Sequence, residues 1–311
     1  MATKMNEIVL QTQGLTKYYG KRPAVDHLDL QVPRGCICGF IGRNGAGKTT
    51  AIKMLLGLLN PTAGSAALLG CDSQDLSPEV RRRIGYVTEG HRLLRWMTIN
   101  HIEKFQQAFF PDQWDRRFFA EMIDYFELSR KQKTRHLSNG QRAQVSLALA
   151  LAPNPELLIM DDPTLGLDAA IRRQFLEGMI QLITGQGRTV LFSSHILTDV
   201  ERIADRIAVI HKGRLVANCT LEKFQQSIRK VVMTFAGPPP QQIDIDGLLH
   251  HRKDARQLEC ILVAAEQADI QSWATRLGAE EVEVVEMNLE DQFIEFTASG
   301  RQQKRFQWEQ T

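Results

Sequence analysis

Three observations predict an α/β fold built on a parallel sheet with helices on both faces. The segment Gly42-Arg43-Asn44-Gly45-Ala46-Gly47-Lys48-Thr49-Thr50 fits the phosphate-binding pattern of Gly, a four-residue spacer and Gly-Lys-Ser/Thr. A strand-like run over 36–41 precedes it and an apolar helical run over 51–56 follows. Further on, short apolar runs at 157–160, 189–192 and 207–210 are separated by helical segments. That alternation is what buried parallel strands with crossover helices produce.

The loop carries its own chemistry. Gly42, Gly45 and Gly47 let the backbone wrap an anionic phosphate chain, and successive N–H groups from Asn44 to Thr50, Ala46 among them, point inward. The following helix turns its positive dipole end to the same phosphates. Lys48 is placed to neutralise β- and γ-phosphates, and Thr49 to ligate Mg²⁺. A glycine-rich turn alone would leave Lys-Thr-Thr unexplained.

Composition bounds the rest. A length of 311 residues suggests about two domains. Hydrophobic and charged fractions of 43% and 24% fit a globular chain, and a net charge of +2 gives no electrostatic case for nucleic-acid binding. Residues 1–13 carry no signal-peptide pattern, and no run approaches the length of a membrane span. Five scattered cysteines form no metal-type pair, and a reducing cytoplasm is expected. Cys36 and Cys38 read as small buried hydrophobes on one face of the strand before the loop.

Along the chain, residues 8–30 read as short strands turning at Gly20-Lys21-Arg22-Pro23, with further strands near 66–69 and 84–87. From His91 to about Arg135, Phe105, Phe109, Phe118, Phe119, Met122, Ile123 and Phe126 recur at helical spacing. This predicts an inserted helical subdomain over about 89–136, with most of those side chains in its packing. Residues 141–152 read as helix. Residues 220–236 read as helix then strand, and Gly237-Pro238-Pro239-Pro240 as a stiff break. Strand, helix, strand and short helix are then expected over 258–263, 269–277, 282–285 and 289–296. The domains expected are 1–218, 219–300 and a mobile tail over 301–311.

Three further segments narrow the class. They are Leu137-Ser138-Asn139-Gly140-Gln141 opening a helix, Leu157-Leu158-Ile159-Met160-Asp161-Asp162-Pro163 followed by Leu165-Gly166-Leu167-Asp168, and Ser193-Ser194-His195 after a strand. With these in order over residues 7 to about 218, the chain resembles the nucleotide-binding subunits of ATP-binding-cassette (ABC) transporters. The resemblance implies a P-loop NTPase core with a parallel sheet, an antiparallel β subdomain, the helical insert and a small C-terminal α/β accessory domain. It implies ATP and Mg²⁺ as ligands and ATP hydrolysis as the activity.

The resemblance also implies roles. Tyr19 resembles the aromatic that stacks on adenine, with Tyr18 the competing candidate. Asp161 resembles the carboxylate that holds Mg²⁺. Ser138 and Gly140 resemble the signature motif, which meets ATP bound on an opposite subunit. Asp168 resembles the residue that touches the other subunit's phosphate loop, and His195 the histidine that contacts the γ-phosphate.

Three positions depart from the pattern. Asp162 stands where the family has Glu to polarise the attacking water, which predicts slow basal hydrolysis. Glu89 stands at the usual Gln, where it can ligate Mg²⁺ or orient water, or be a solvated surface residue. Asn139 replaces a glycine of the signature.

A cassette of this kind implies an integral membrane permease as partner, a second cassette subunit and a peripheral place on the cytoplasmic face of the membrane. Leu93, Leu94, Trp96 and Met97 are candidates for the permease contact or for internal packing. The segments from Phe109 to Asp115 and from Asn288 to Phe293 resemble bacterial exporter cassettes. Two alternatives stay open: a soluble ABC ATPase, and a regulatory cassette that mainly binds ATP. A small GTPase is disfavoured because no Asn-Lys-x-Asp base-reading motif occurs.

Overall fold

The computed structural model describes residues 7–184 and 187–298, so the tail over 301–311 lies outside the described residues. Two compact units divide at Asn218/Cys219.

The first unit opens with β1 (Ile8–Tyr19), β2 (Arg22–Leu28) and β3 (Gln31–Pro33), then β4 (Ile37–Ile41), the phosphate loop and α1 (Lys48–Leu55). The expected short strands over 8–30 thus include one long strand, β1, whose register slips at Lys17 where it pairs with β2. Next come β5 (Ala63–Leu68), β6 (Cys71–Asp72), α2 (Pro78–Arg82) and β7 (Ile84–Val87). The helical insert holds α3 (Ile99–Gln107) and α4 (Arg116–Tyr125), and α5 (Asn139–Leu151) follows. The chain continues through β8 (Leu157–Met160), α6 (Ala169–Thr184), β9 (Thr189–Ser194), α7 (Leu197–Ile203), β10 (Arg206–His211) and β11 (Arg214–Thr220).

A six-stranded sheet runs β11-β10-β4-β9-β8-β7. The pairings from β10 across to β7 are all parallel. β4, β8 and β9 are buried along their whole length, as continuous apolar runs between helical layers require. A second, five-stranded sheet joins β1, β2, β3, β5 and β6 by antiparallel pairs. One core, including Leu15, Val25, Phe40, Ile52 and Leu191, links this sheet with β4 and α1.

The helical insert packs on Phe119, Met122, Ile123 and Phe126, all buried. Phe105 and Phe109 are exposed and lie edge to face at 5.3 Å. They depart from the packing expected of them: Phe105 lies on the flank of the buried stripe of Ile99, Ile102 and Glu103, and Phe109 lies beyond the end of α3.

The second unit contains α8 (Leu221–Ser227), β12 (Ile228–Thr234), β13 (Leu248–Asp254), β14 (Gln257–Val263), α9 (Gln267–Leu277), β15 (Glu281–Val285) and α10 (Leu289–Ala298). Its four strands form an antiparallel sheet in the order β13-β14-β12-β15. Val231, Met233, Leu258, Cys260 and Leu262 pack with Ile270 and Ala274 of α9. Phe224 and Phe296 meet edge to face at 5.5 Å, joining α8 to α10. Of the five cysteines, Cys38, Cys219 and Cys260 are buried and Cys36 and Cys71 half-buried, all as free thiols.

Candidate active site

The parallel sheet brings its functional residues to one edge. Ile41 pairs with Ser194 and Met160 with Phe192, so β4, β8 and β9 end in near register. The loops that leave these ends carry the phosphate loop, Asp161-Asp162 and His195. The carboxyl ends of parallel strands are where such sheets bind ligands.

Backbone geometry shapes the phosphate loop. A Cβ on Gly42 would collide with the carbonyl oxygen of Ile210. Gly47 sits at φ 109° as the cap of α1, and a Cβ there would strike the Ala24 carbonyl. Two bonds brace the loop: Ala46 N–H to the Arg43 carbonyl at 3.0 Å and Gly213 N–H to the Ala46 carbonyl at 2.9 Å. Asn44 and Gly45 are exposed, Ala46 is buried, and Thr50 is half-buried within the first turn of α1.

Lys48 is only 5% exposed. Its Nζ donates to the Gly42 carbonyl at 2.8 Å and lies 3.9 Å from Asp162 Oδ2. Burial lowers the affinity of this ammonium for its proton, against the opposing pull of Asp162, Asp161 and Glu89. Thr49 and Ser193 hydroxyls donate to the same oxygen, Asp161 Oδ1, at 3.0 and 2.9 Å. Burial raises the Asp161 carboxyl above its usual range, and those two hydrogen bonds work in the other direction. Ser193 Oγ also accepts from the Asp162 N–H at 2.8 Å, so one hydroxyl spans both acids. Asp162 holds a left-handed backbone at φ 43°. Its Oδ1 lies 3.0 Å from His195 Nδ1. Lys48, Thr49, Asp161, Asp162 and His195 therefore form one connected cluster.

Among the other sequence candidates, Glu89 acts on this cluster through its charge at Lys48. Glu89 is exposed in the turn after β7. Tyr19 is exposed at the end of β1, with the Lys17 ammonium 5.8 Å from its ring centre; Tyr18 is exposed beside it. Ser138 caps α5 in a reciprocal box with Gln141. Gly140 is buried where a Cβ would meet the Ile171 side chain. Asn139 is exposed and its side chain is bonded to Arg142. Asp168 accepts from the Ala170 and Ile171 N–H groups at 3.1 and 3.0 Å, capping the start of α6.

One residue had no signal in the sequence. His91 is 3% exposed and has φ 46°. Its Nε2 lies 2.9 Å from the carbonyl of Pro163, the residue after Asp162, and its Nδ1 is buried without a hydrogen-bond partner. Burial lowers the proton affinity of this ring. With Nε2 as the donor, the ring ties the turn that carries Glu89 to the strand end that carries Asp162.

Beside β7 lies a cavity of about 290 Å³ whose lining includes Tyr86, Arg92, Leu93, Phe110 and Leu149. Leu94 and Trp96 are exposed nearby in sequence, but Met97 is buried. Met97 therefore belongs to the internal packing, its backbone tied to Thr134 at 3.0 Å.

A glycine-rich loop, a buried lysine, a hydroxyl on a buried carboxylate and a histidine on a second carboxylate, all at the carboxyl edge of a parallel sheet, define a nucleoside triphosphatase. Residues 25–165 match the family model described as ABC transporter. The bacitracin transport ATP-binding protein BcrA of Bacillus licheniformis is 34% identical over 224 residues, covering 71% of this chain and 73% of that protein. The daunorubicin/doxorubicin resistance ATP-binding protein DrrA of Streptomyces peucetius is 35% identical over 230 residues, 72% of this chain and 69% of that one. YdbJ, an ABC transporter ATP-binding protein of Bacillus subtilis (strain 168), is 27% identical over 311 residues, with 96% and 98% coverage. Among solved structures, an ATP-binding subunit of an ABC transporter superposes with TM-score 0.63 at 28% identity, over 70% of this chain and 92% of that one. A dimeric cassette in a post-hydrolysis state with ADP and Pi gives 0.61 at 25% identity, over 68% and 98%. The chain belongs to the ABC transporter family, as one of its ATP-binding subunits, and is an ATP hydrolase of that type.

Proposed function

We propose that this subunit powers export through a separate membrane permease, working as a pair of cassettes on the cytoplasmic face of the membrane. The cluster of Lys48, Thr49, Asp161, Asp162 and His195 carries the proposal. The names of relatives, which speak of bacitracin transport, daunorubicin/doxorubicin resistance and Nod factor export, support the direction. No helix among the described residues is long and apolar enough to cross a membrane.

The geometry suggests a division of labour. Lys48 leaves the Gly42 carbonyl to neutralise the β- and γ-phosphates, which Gly45, Ala46, Gly47 and Thr50 cradle with N–H groups. Thr49 and Asp161 offer hard oxygens side by side, a donor set that fits Mg²⁺, with Glu89 as an outer candidate. Thr49 and Asp161 would hold such an ion, which would supply charge neutralisation for the phosphates. Asp162 orients the attacking water, and His195, held on Asp162, reaches the γ-phosphate. Tyr19 stacks on the base. Ser138 and Gly140 act on ATP held by the opposite cassette, where the start of α5 adds its dipole. The cavity beside β7, with exposed Leu94 and Trp96, is the surface proposed for the permease.

Purification of the tagged chain in mild detergent, with mass spectrometry of what stays bound, tests the reading. A stoichiometric multi-span protein is expected. Recovery only in a soluble fraction would remove the permease from the proposal.

A further inference from the structure

The helical insert holds a second cavity, of about 220 Å³, lined by Asn100, Glu103, Lys104, Gln107, Arg116 and Arg130. The first four are one stripe of α3 at the spacing of successive turns. Arg116 opens α4, and Arg130 follows that helix.

The charges do not balance. Three cations face one carboxylate, and that carboxylate is already engaged: Glu103 is 7% exposed and lies 3.1 Å from Arg130 Nη2. The remaining cations, Lys104 and Arg116, have no ion-pair or hydrogen-bond partner among the described residues. Nη2 of Arg130 is thus taken by Glu103, its guanidinium lies 5.7 Å over the Phe119 ring, and its Nε is buried without a hydrogen-bond acceptor. Buried donors are nearly always satisfied, so Nε marks an acceptor position.

Arg116 adds to the argument. It lies in the first turn of α4, which has no acidic residue. Asp115 caps that helix, accepting from the Phe118 N–H at 2.8 Å, and an anion between Arg116 and Lys104 would add to its favourable interaction with the dipole. Arg117, its neighbour, is turned away and bonded to Glu121 at 2.8 Å.

We propose that this cavity binds a phosphate monoester, held by Lys104, Arg116 and Arg130, with Asn100 and Gln107 bonding its polar substituent. A phosphate oxygen accepts from a guanidinium fork and an ammonium at once, whereas a monovalent anion leaves most of those donors unused. The site lies on other elements than the phosphate loop and needs no nucleotide.

The test uses the full chain saturated with ADP and magnesium, so that the phosphate loop is filled. Glycerol 3-phosphate is titrated by calorimetry, and vesicles of phosphatidylcholine with or without phosphatidic acid are tested by co-sedimentation. Saturable glycerol 3-phosphate binding is expected to weaken at least about tenfold in Lys104→Gln/Arg116→Gln, since each lost contact is charge-assisted. It should weaken in Arg116→Gln alone but persist in Arg117→Gln, which removes the same single charge one position away. Binding only to phosphatidic acid, lost in the double variant alone, would support the site with a lipid headgroup as its source. The proposal is overturned if neither probe binds, or if Arg117→Gln loses binding as fully as the other positions.

Discussion

Asp162 is one methylene shorter than the glutamate its family uses, yet it already carries a histidine and approaches a lysine. Misplacing a catalytic group by about 1 Å can cost about 10²-fold. Asp162→Glu is therefore expected to raise steady-state ATP turnover, and Asp162→Asn to lower it about 10²-fold or more; phosphate release measures both. An unchanged or lower rate in the glutamate variant would mean the left-handed turn at Asp162 already supplies the missing reach. His91 gives a second expectation. His91→Phe keeps a planar ring, somewhat larger, and removes the bond to the Pro163 carbonyl. A fall of about tenfold in kcat with KM for ATP unchanged is expected, partly restored by His91→Gln. Parallel losses in KM and thermal midpoint would assign His91 to packing alone. The sequence revealed the connected cluster because glycines, lysine and paired acids must sit at fixed offsets to serve one phosphate chain. It did not reveal His91, whose position depends on a buried ring and a positive φ that no local pattern encodes.

Among the elements, α5 separates two duties of one residue. Ser138 caps the helix, and its hydroxyl is also the group proposed to face ATP on an opposite cassette. Ser138→Ala should cost about 1 kcal/mol of stability by loss of the cap. Ser138→Asp caps equally well but sets a carboxylate against a phosphate. It is expected to keep the thermal midpoint while abolishing ATP-dependent dimer formation, read by light scattering. A dimer that still forms would confine Ser138 to its capping role. Elements with continuous apolar runs, such as β4, β8, β9 and β10, were legible because full burial leaves that trace. β13 was not. Its run through His250, His251, Arg252 and Lys253 is polar because β13 is an edge strand with exposed side chains.

On the scale of the whole molecule, the two units have separate cores, one around Phe40 and Leu191 and one around Val231 and Leu262. Separate cores unfold separately unless docking couples them. Calorimetry should resolve two transitions, of which ATP with magnesium raises only the one belonging to the first unit, by mass action. A single transition that shifts as a whole would show the units to be energetically one. The thiols scattered through both units have a practical corollary. Burial holds the Cys36 thiol up near 11 and the Cys260 thiol up to about 12, so neither is a thiolate at neutral pH. Cys38 and Cys219 are enclosed as well, which leaves Cys36 and Cys71 as the native sulfurs with partial access. Background reaction with alkylating reagents is thus confined to two half-buried thiols, and a single cysteine introduced on an exposed face can carry a spin label or crosslinker once Cys36 and Cys71 are replaced by serine.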